Sequence, residues 1–171
     1  MISKIAFVMM AVLLSASAFA SDNLSRRFQW QPAGDKFPAR ETTFDVFGTW
    51  RVAEHRDFSD GKLGFGIGAD YFFNRYVGLS SDTHLEHFGF PQHVNFSIIG
   101  RYPIEKWSLA PYLMFGGGRH FRDPSEWTLH FGGGVDFRFN RKAALFTDLR
   151  QIWPENKPDS VLWRFGVRFG F

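Results

Sequence analysis

Cysteine is absent from the 171 residues. That excludes disulfide staples, a thiol nucleophile and any cysteine-ligated metal. Past the N-terminal leader, no stretch reaches the ~18 uninterrupted apolar residues of a membrane-spanning helix, so a helical membrane protein is excluded. Blocks of like charge are missing too. Twenty Lys and Arg stand against 17 Asp and Glu, a formal net charge of +3, and the basic residues are scattered through alternating segments. That distribution gives no support to nucleic acid as a partner. Gly116-Gly117-Gly118 and Gly132-Gly133-Gly134 have no Lys-Ser or Lys-Thr after them, so neither is a phosphate loop. Nothing in the chain implies a cofactor or a metal.

Aromatic residues are abundant, at 19% of the chain, with 22 Phe among them. Their arrangement is clearest in the last eleven residues, Val161-Leu162-Trp163-Arg164-Phe165-Gly166-Val167-Arg168-Phe169-Gly170-Phe171. Odd positions are apolar and even positions after Leu162 alternate Arg and Gly. A strand sends successive side chains to opposite faces, so this is a ribbon with one greasy and one small or charged face. The same alternation predicts strands at about 43–56, 62–72, 76–88, 92–102, 107–118, 127–139 and 143–153 as well as 161–171. Several connections are specific enough to set register. A three-residue loop at Phe73-Asn74-Arg75 pairs Tyr71 with Val77, and a two-residue turn at Gly89-Phe90 sets Glu86 opposite His93 and His84 opposite Asn95. Pro111 cannot donate to a ladder, which calls for a bulge or for pairing that starts after it.

Side-chain volume decides which face is inside. The interior of an eight-stranded barrel is only just wide enough to be filled by side chains. Trp127, Phe131, Phe137, Phe139, Trp163, Phe165, Phe169 and Phe171 with their counterparts would overfill it. The Gly-rich, charged face fits. The expectation is an all-β protein, a transmembrane eight-stranded antiparallel up-and-down β-barrel, with bulky apolar groups toward lipid. The lumen then receives Arg51, Asp70, Asp82, Glu86, Arg101, Asp136, Arg138, Asp148, Arg150, Arg164 and Arg168. Buried charges need partners, so these residues predict a cross-lumen salt-bridge network and a plugged cylinder. The Trp residues near strand ends read as interfacial girdles.

The N-terminus supplies the compartment. Lys4, the apolar run Ile5 to Leu14 and the small-x-small site Ala18-Phe19-Ala20 read as a signal peptide over 1–20. Residues 21–41, with Arg26, Arg27, Pro32, Gly34 and Pro38, read as a periplasmic N-terminal tail, and 42–171 as the outer-membrane β-barrel domain. A loose tail is the reading for that segment, with Phe28 and Trp30 as the residues able to tuck under the barrel.

The chain resembles the small outer-membrane β-barrel family of opacity-type surface proteins and the OmpA and OmpX barrels. The matching features are the stretch from Gly66 to Leu79, Ala110-Pro111-Tyr112-Leu113 before a Gly run, Gly132-Gly133-Gly134-Val135-Asp136, and the terminal Phe. The resemblance implies that Phe165, Val167, Phe169 and Phe171 form the signal read by the barrel-assembly machinery. It also implies outer-membrane lipids as partners and a monomer in the cell outer membrane. Opacity-type adhesins display long outer loops. Gly89-Phe90, 119–125 and 154–160 are short, which weighs against an adhesin.

One constellation resembles an acid–base or metal site: Asp82-x-His84-x-Glu86, with His93 across the turn. Lumenal hydrogen bonding is the competing explanation. Lipid A deacylases of similar size place Ser and His on the lipid-facing wall, whereas here Ser81 and Thr83 face out and His84 faces in, and no His-x-Ser pair occurs. The leading expectation is therefore a structural or surface-interaction barrel. The alternatives are an enzyme acting on lipid A or another envelope substrate near the outer rim, and a narrow pore.

Overall fold

The computed structural model describes residues 36–54, 57–85, 93–121 and 125–171. The leader at 1–20, the tail through 35, His55, Glu86, His87 and the Gly89-Phe90 turn lie outside the described residues. Eight strands follow one another: β1 (Glu41–Ala53), β2 (Lys62–Phe72), β3 (Val77–Leu85), β4 (His93–Arg101), β5 (Leu109–His120), β6 (Glu126–Arg138), β7 (Ala143–Pro154) and β8 (Ser160–Gly170). Each pairs antiparallel with the next, and β8 returns to β1 from Thr43–Gly170 to Ala53–Ser160, which closes the barrel. Closure leaves no free sheet edge. The start of β1 and the end of β8 share one end of the cylinder, termed proximal here; the opposite end is distal.

Burial follows the sequence alternation. In β1, Thr42, Phe44 and Val46 are exposed while Glu41, Thr43, Asp45, Phe47 and Thr49 are buried. In β8, Trp163, Phe165 and Phe169 face out and Leu162, Arg164 and Arg168 face in. Exposed aromatics form two bands. Trp127, Trp153 and Trp163, with the half-buried Trp50, lie toward the distal end, and Tyr71, Phe73, Tyr76, Tyr102, Trp107, Phe137 and Phe139 toward the proximal end. The inner face is bulkier than glycine and charge alone: Phe47, Phe72, Met114, Phe146 and Leu162 also point inward and are buried. Gly48, Gly100, Gly117 and Gly133 occupy outward-facing positions.

Three expected local details are corrected. Tyr71 lies opposite Leu79, not Val77, and the loop is centred one residue later, on Arg75. Asn74 explains the shift. Its Oδ1 accepts the N–H groups of Tyr76 and Val77 at 2.8 and 2.9 Å, and the Phe73 N–H donates to the Val77 carbonyl at 3.0 Å. A side-chain acceptor that replaces a backbone turn bond fixes where the chain reverses. Asn140 does the same for Lys142 and Ala143 at 2.7 and 3.0 Å. On the adjacent hairpin, toward the distal end, His84 lies opposite His93 and Asp82 opposite Asn95, in place of the expected pairs Glu86–His93 and His84–Asn95. Asn95 Nδ2 donates to Asp82 Oδ1 at 2.9 Å and Thr83 Oγ1 to the His93 carbonyl at 2.8 Å, and both bonds hold that register.

Pro111 needs no bulge. Pairing with β6 runs through it, opposite Val135, whereas the β4 ladder stops one rung later at Arg101–Tyr112. The N–H and C=O of one strand residue point to the same neighbour. The Pro111 carbonyl accepts from Tyr102 at 2.8 Å, so its missing donor falls where β4 has already ended.

Close approach of the chains requires glycine at Gly134. A Cβ there would sit 2.5 Å from Asp148 Cβ and 2.8 Å from its Cα. At Gly100 the nearest atom to such a Cβ, the Tyr76 carbonyl oxygen, is 4.0 Å away. Gly134→Ala is expected to lower unfolding stability in lipid by about 1–3 kcal/mol through overpacking. Gly100→Ala is expected to stay within about 0.5 kcal/mol of the parent, as an outward-facing surface change should. Denaturant titration of both variants in bilayers checks the pair.

Candidate functional site

The lumen is stacked in layers, each positioned by the inward parity of several strands. At the proximal mouth, Lys36 to Arg40 cross under the barrel. Phe37 is fully buried, with the guanidinium carbons of Arg101 and Arg138 5.4 and 4.8 Å from its ring centroid. Three consecutive carbonyls are used as acceptors: Lys36 by Arg138 at 2.8 Å, Phe37 by Arg75 at 3.1 Å and Pro38 by Arg101 at 3.2 Å. Glu41 sits above them and bridges Arg101, at 2.9 Å, and Arg138.

The next layer centres on Arg168. It grips Asp45 through two parallel bonds of 2.8 Å, reaches Asp70 at 2.7 Å and Asp136 at 3.4 Å. Asp136 also meets Arg138 at 3.3 Å, which joins this layer to the mouth below. Above it lie Phe47 and Phe146, edge to face at 6.1 Å, with Arg164 over one ring and Arg168 over the other at 4.7 and 4.9 Å. Arg164 then holds Asp148 bidentately at 2.9 and 2.7 Å, and Asp148 also accepts the Tyr112 hydroxyl at 2.8 Å. Asp82 receives Arg150 at 2.7 Å and Arg164 at 3.2 Å. Two-pronged guanidinium–carboxylate bonds are short and directional, the geometry that best offsets desolvation of two charges.

The distal mouth is lined by imidazoles. His84, His93 and His120 lie side by side on one rung of β3, β4 and β5. Their rings stack at centroid distances of 4.4 Å, with interplanar angles of 3° and 28°. Arg51 donates to Ser160 Oγ at 3.0 Å and lies 3.3 Å from His93 Nε2. Lys157 is 3.3 Å from His120 Nδ1 and 2.5 Å from Glu126. One turn of the wall inward, Ser97 Oγ and His130 Nε2 are 2.7 Å apart across Gly116.

Of the lumenal residues singled out from sequence, Asp70, Asp82, Arg101, Asp136, Arg138, Asp148, Arg150, Arg164 and Arg168 are all buried and ion-paired. Arg51 belongs to the distal mouth, and Glu86 lies outside the described residues. Glu41 and Phe37 were missed, and Asp45 was placed on the inner face of the first strand but not in the charge network. Asp45 shares parity with Arg51 and was available to the same argument. Glu41 keeps that parity two residues before Thr43, but the strand was expected to begin after it. Phe37 carried no periodic signal. Of the acid–base constellation, Asp82 and His84 share a face, but Asp82 Oδ1 is 3.9 Å from His84 Nδ1 and is committed to Asn95. Among the described residues, no group of three or more His, Cys, Asp or Glu side chains is arranged to hold a metal ion. Phe165, Val167 and Phe169 line the outward face of β8, and Phe171 is 84% exposed with its N–H on the Thr42 carbonyl at 2.9 Å.

A closed eight-stranded cylinder with hydrocarbon outside and ion pairs inside defines a class, the small transmembrane β-barrel. Solved structures agree. The chain is similar to the N-terminal β-barrel domain of Pseudomonas aeruginosa OprF, with a TM-score of 0.62 and 16% identity over 78% of this chain and 99% of that one. It is similar to Ail, the attachment invasion locus protein of Yersinia pestis, with a TM-score of 0.56 and 14% identity over 78% and 99%. Neisserial surface protein A follows at 0.51 and 15% over 77% and 96%. These likenesses establish the fold, in agreement with the resemblance drawn from sequence. No family model and no curated protein matches the chain.

Glu41 provides the sharpest test of the lumenal packing. Glu41→Ala leaves two buried guanidinium groups short of a partner and is expected to cost about 3–5 kcal/mol. Glu105→Ala removes a more exposed partner of Arg75 and is expected to cost about 0–1 kcal/mol. Denaturant unfolding in the same micelles compares them.

Proposed function

We propose that this protein is an integral outer-membrane barrel with a structural or surface-interaction role, and that its lumen is closed by ion pairs. The observation that carries the reading is the continuous chain of contacts from Phe37 through Glu41, Arg138, Asp136 and Arg168. Every link consumes a charge that a solute pathway would need exposed. Wide aqueous channels need about 16 or more strands. The proximal end, where β1 begins and β8 ends, faces the periplasm, and the distal end faces the cell exterior.

Outer-membrane lipids are the partners of the exposed aromatic wall, and the barrel stands as a monomer because closure leaves no edge to pair. Phe165, Val167, Phe169 and Phe171 act as the assembly signal, presented on an outward face at the end of the chain. Catalysis at the outer rim is disfavoured by the engagement of Asp82 with two guanidinium groups, which removes it as a base.

Extraction from outer membranes followed by gel electrophoresis with and without boiling tests compartment and barrel together. The expected result is a mobility shift on boiling; a single mobility, or recovery in the soluble fraction, contradicts the reading. Planar-bilayer recording of the same preparation is expected to give little or no steady current, whereas sustained open conductance supports the pore.

A further inference from the structure

We propose that the distal mouth is a protonation-sensitive latch, in which the stacked rings of His84, His93 and His120 hold β3, β4 and β5 together while neutral and part when they take up protons. The inference rests on the reading of the distal end as the outward, surface-presenting end. The ends of β3 and β5 that leave this rung, at Leu85 and Phe121, are then what the latch repositions.

The hydrogen-bond chemistry of the mouth fixes the neutral state. Arg and Lys side chains only donate. The Arg51 guanidinium 3.3 Å from His93 Nε2 and the Lys157 ammonium 3.3 Å from His120 Nδ1 therefore each need a lone pair on that nitrogen. A proton placed there abolishes the contact and sets a cation against a cation. His84 reaches the same end by another route. Both of its ring nitrogens are buried, and neither has a hydrogen-bond partner. Protonation would create a second buried donor, and the nearest carboxylate oxygen, Asp82 Oδ1 at 3.9 Å from Nδ1, is beyond hydrogen-bond distance and already accepts from Asn95, a costly state. Neutral imidazoles stack as aromatic rings, but imidazolium rings 4.4 Å apart repel.

The surrounding charges come from the whole wall. Arg51 approaches from β1, and Lys62 of β2 is its register partner. Asp82 lies below His84 on β3 but is held by Asn95, Arg150 and Arg164. Glu126 on β6 is 3.7 Å from His120 Nδ1 and already shares Lys157. His130 on β6 is bonded to Ser97 of β4. Two carboxylates, both engaged, thus face three imidazoles and several fixed cations. Uptake of protons must break either the stack or one of those ion pairs. The deeper Arg168 layer contains no histidine and stays intact.

The test uses the full chain folded in micelles, with histidine-ring and backbone NMR followed from about pH 8 to about pH 3, a span that reaches well below the range in which a free imidazole changes charge. The expected result is one concerted step that moves the three stacked rings together with the amides of Leu85 and Phe121. The amides of Asp45 and Arg168 should not move. His93→Phe keeps a ring in the stack without a titratable centre and is expected to abolish the concerted step; His93→Gln serves if that variant does not fold. Three independent titrations unaffected by either substitution overturn the proposal. So does Zn2+ binding at about pH 7.5 that all three rings share and His84→Ala removes, because the cluster is then a metal site. Gel mobility before and after boiling, measured at both pH values, reports separately on whether the barrel itself has failed.

Discussion

The guanidinium groups of Arg101, Arg138, Arg150, Arg164 and Arg168 are all buried inside a cylinder whose outer wall is hydrocarbon. Lipid cannot neutralise them, and the carboxylates of Glu41, Asp45, Asp70, Asp82, Asp136 and Asp148 do so within the lumen. That requirement reaches every strand but β5, whose Tyr112 hydroxyl donates to Asp148. Each charge has to be an inward residue, so each strand must keep strict parity, and each rung must bring opposite signs within bonding distance. The aromatic exterior follows, because a narrow lumen holds only a few large rings, Phe47, Phe72, Tyr112 and Phe146 among them, and the rest have only the lipid side to occupy. Closure follows as well, since an open edge would leave backbone donors and acceptors unpaired in hydrocarbon.

Phe37 and the three carbonyls beside it extend the same logic to the chain entering the barrel. A short segment without regular structure supplies acceptors that the wall cannot offer at its rim, and a ring over which two guanidinium groups lie. The proximal seal and the first strand are therefore one electrostatic unit, linked through Glu41. The distal mouth is of a different character, with three stacked imidazoles beside the Lys157–Glu126 pair. The two ends of the cylinder are chemically unlike, as expected when they face different compartments.

Strand number, parity and the identity of most lumenal charges were legible because period-two alternation survives any shift of register by two residues. The misplaced turns show the limit of that signal. Moving the reversal from Asn74 to Arg75, or exchanging Asn95 for His93 opposite His84, leaves every side chain on its expected face. Alternation therefore carries no information about which is right, and only the Asn74 side-chain bonds and the Asp82–Asn95 contact decide it. One further signal was present and unread. Gly68-x-Asp70-x-x-Phe73-Asn74-Arg75-x-x-x-Leu79 recurs as Gly134-x-Asp136-x-x-Phe139-Asn140-Arg141-x-x-x-Leu145. The two turns are built alike, each with an Asn acceptor and an edge-to-face aromatic pair at 5.3 Å. The histidine rung was illegible for a different reason: His84, His93 and His120 come from three strands, and only the exact register aligns them.

The assignment of inside and outside is tested most directly by single cysteines, which the native absence of thiols makes unambiguous. Phe165→Cys and Phe146→Cys, each carrying a spin label in a bilayer, place one probe on either face of the wall. The account predicts that the label at 165 is broadened by oxygen dissolved in the acyl chains, while the label at 146 is shielded from oxygen and immobilised. An immobilised, shielded label at 165 together with an oxygen-exposed one at 146 would contradict it.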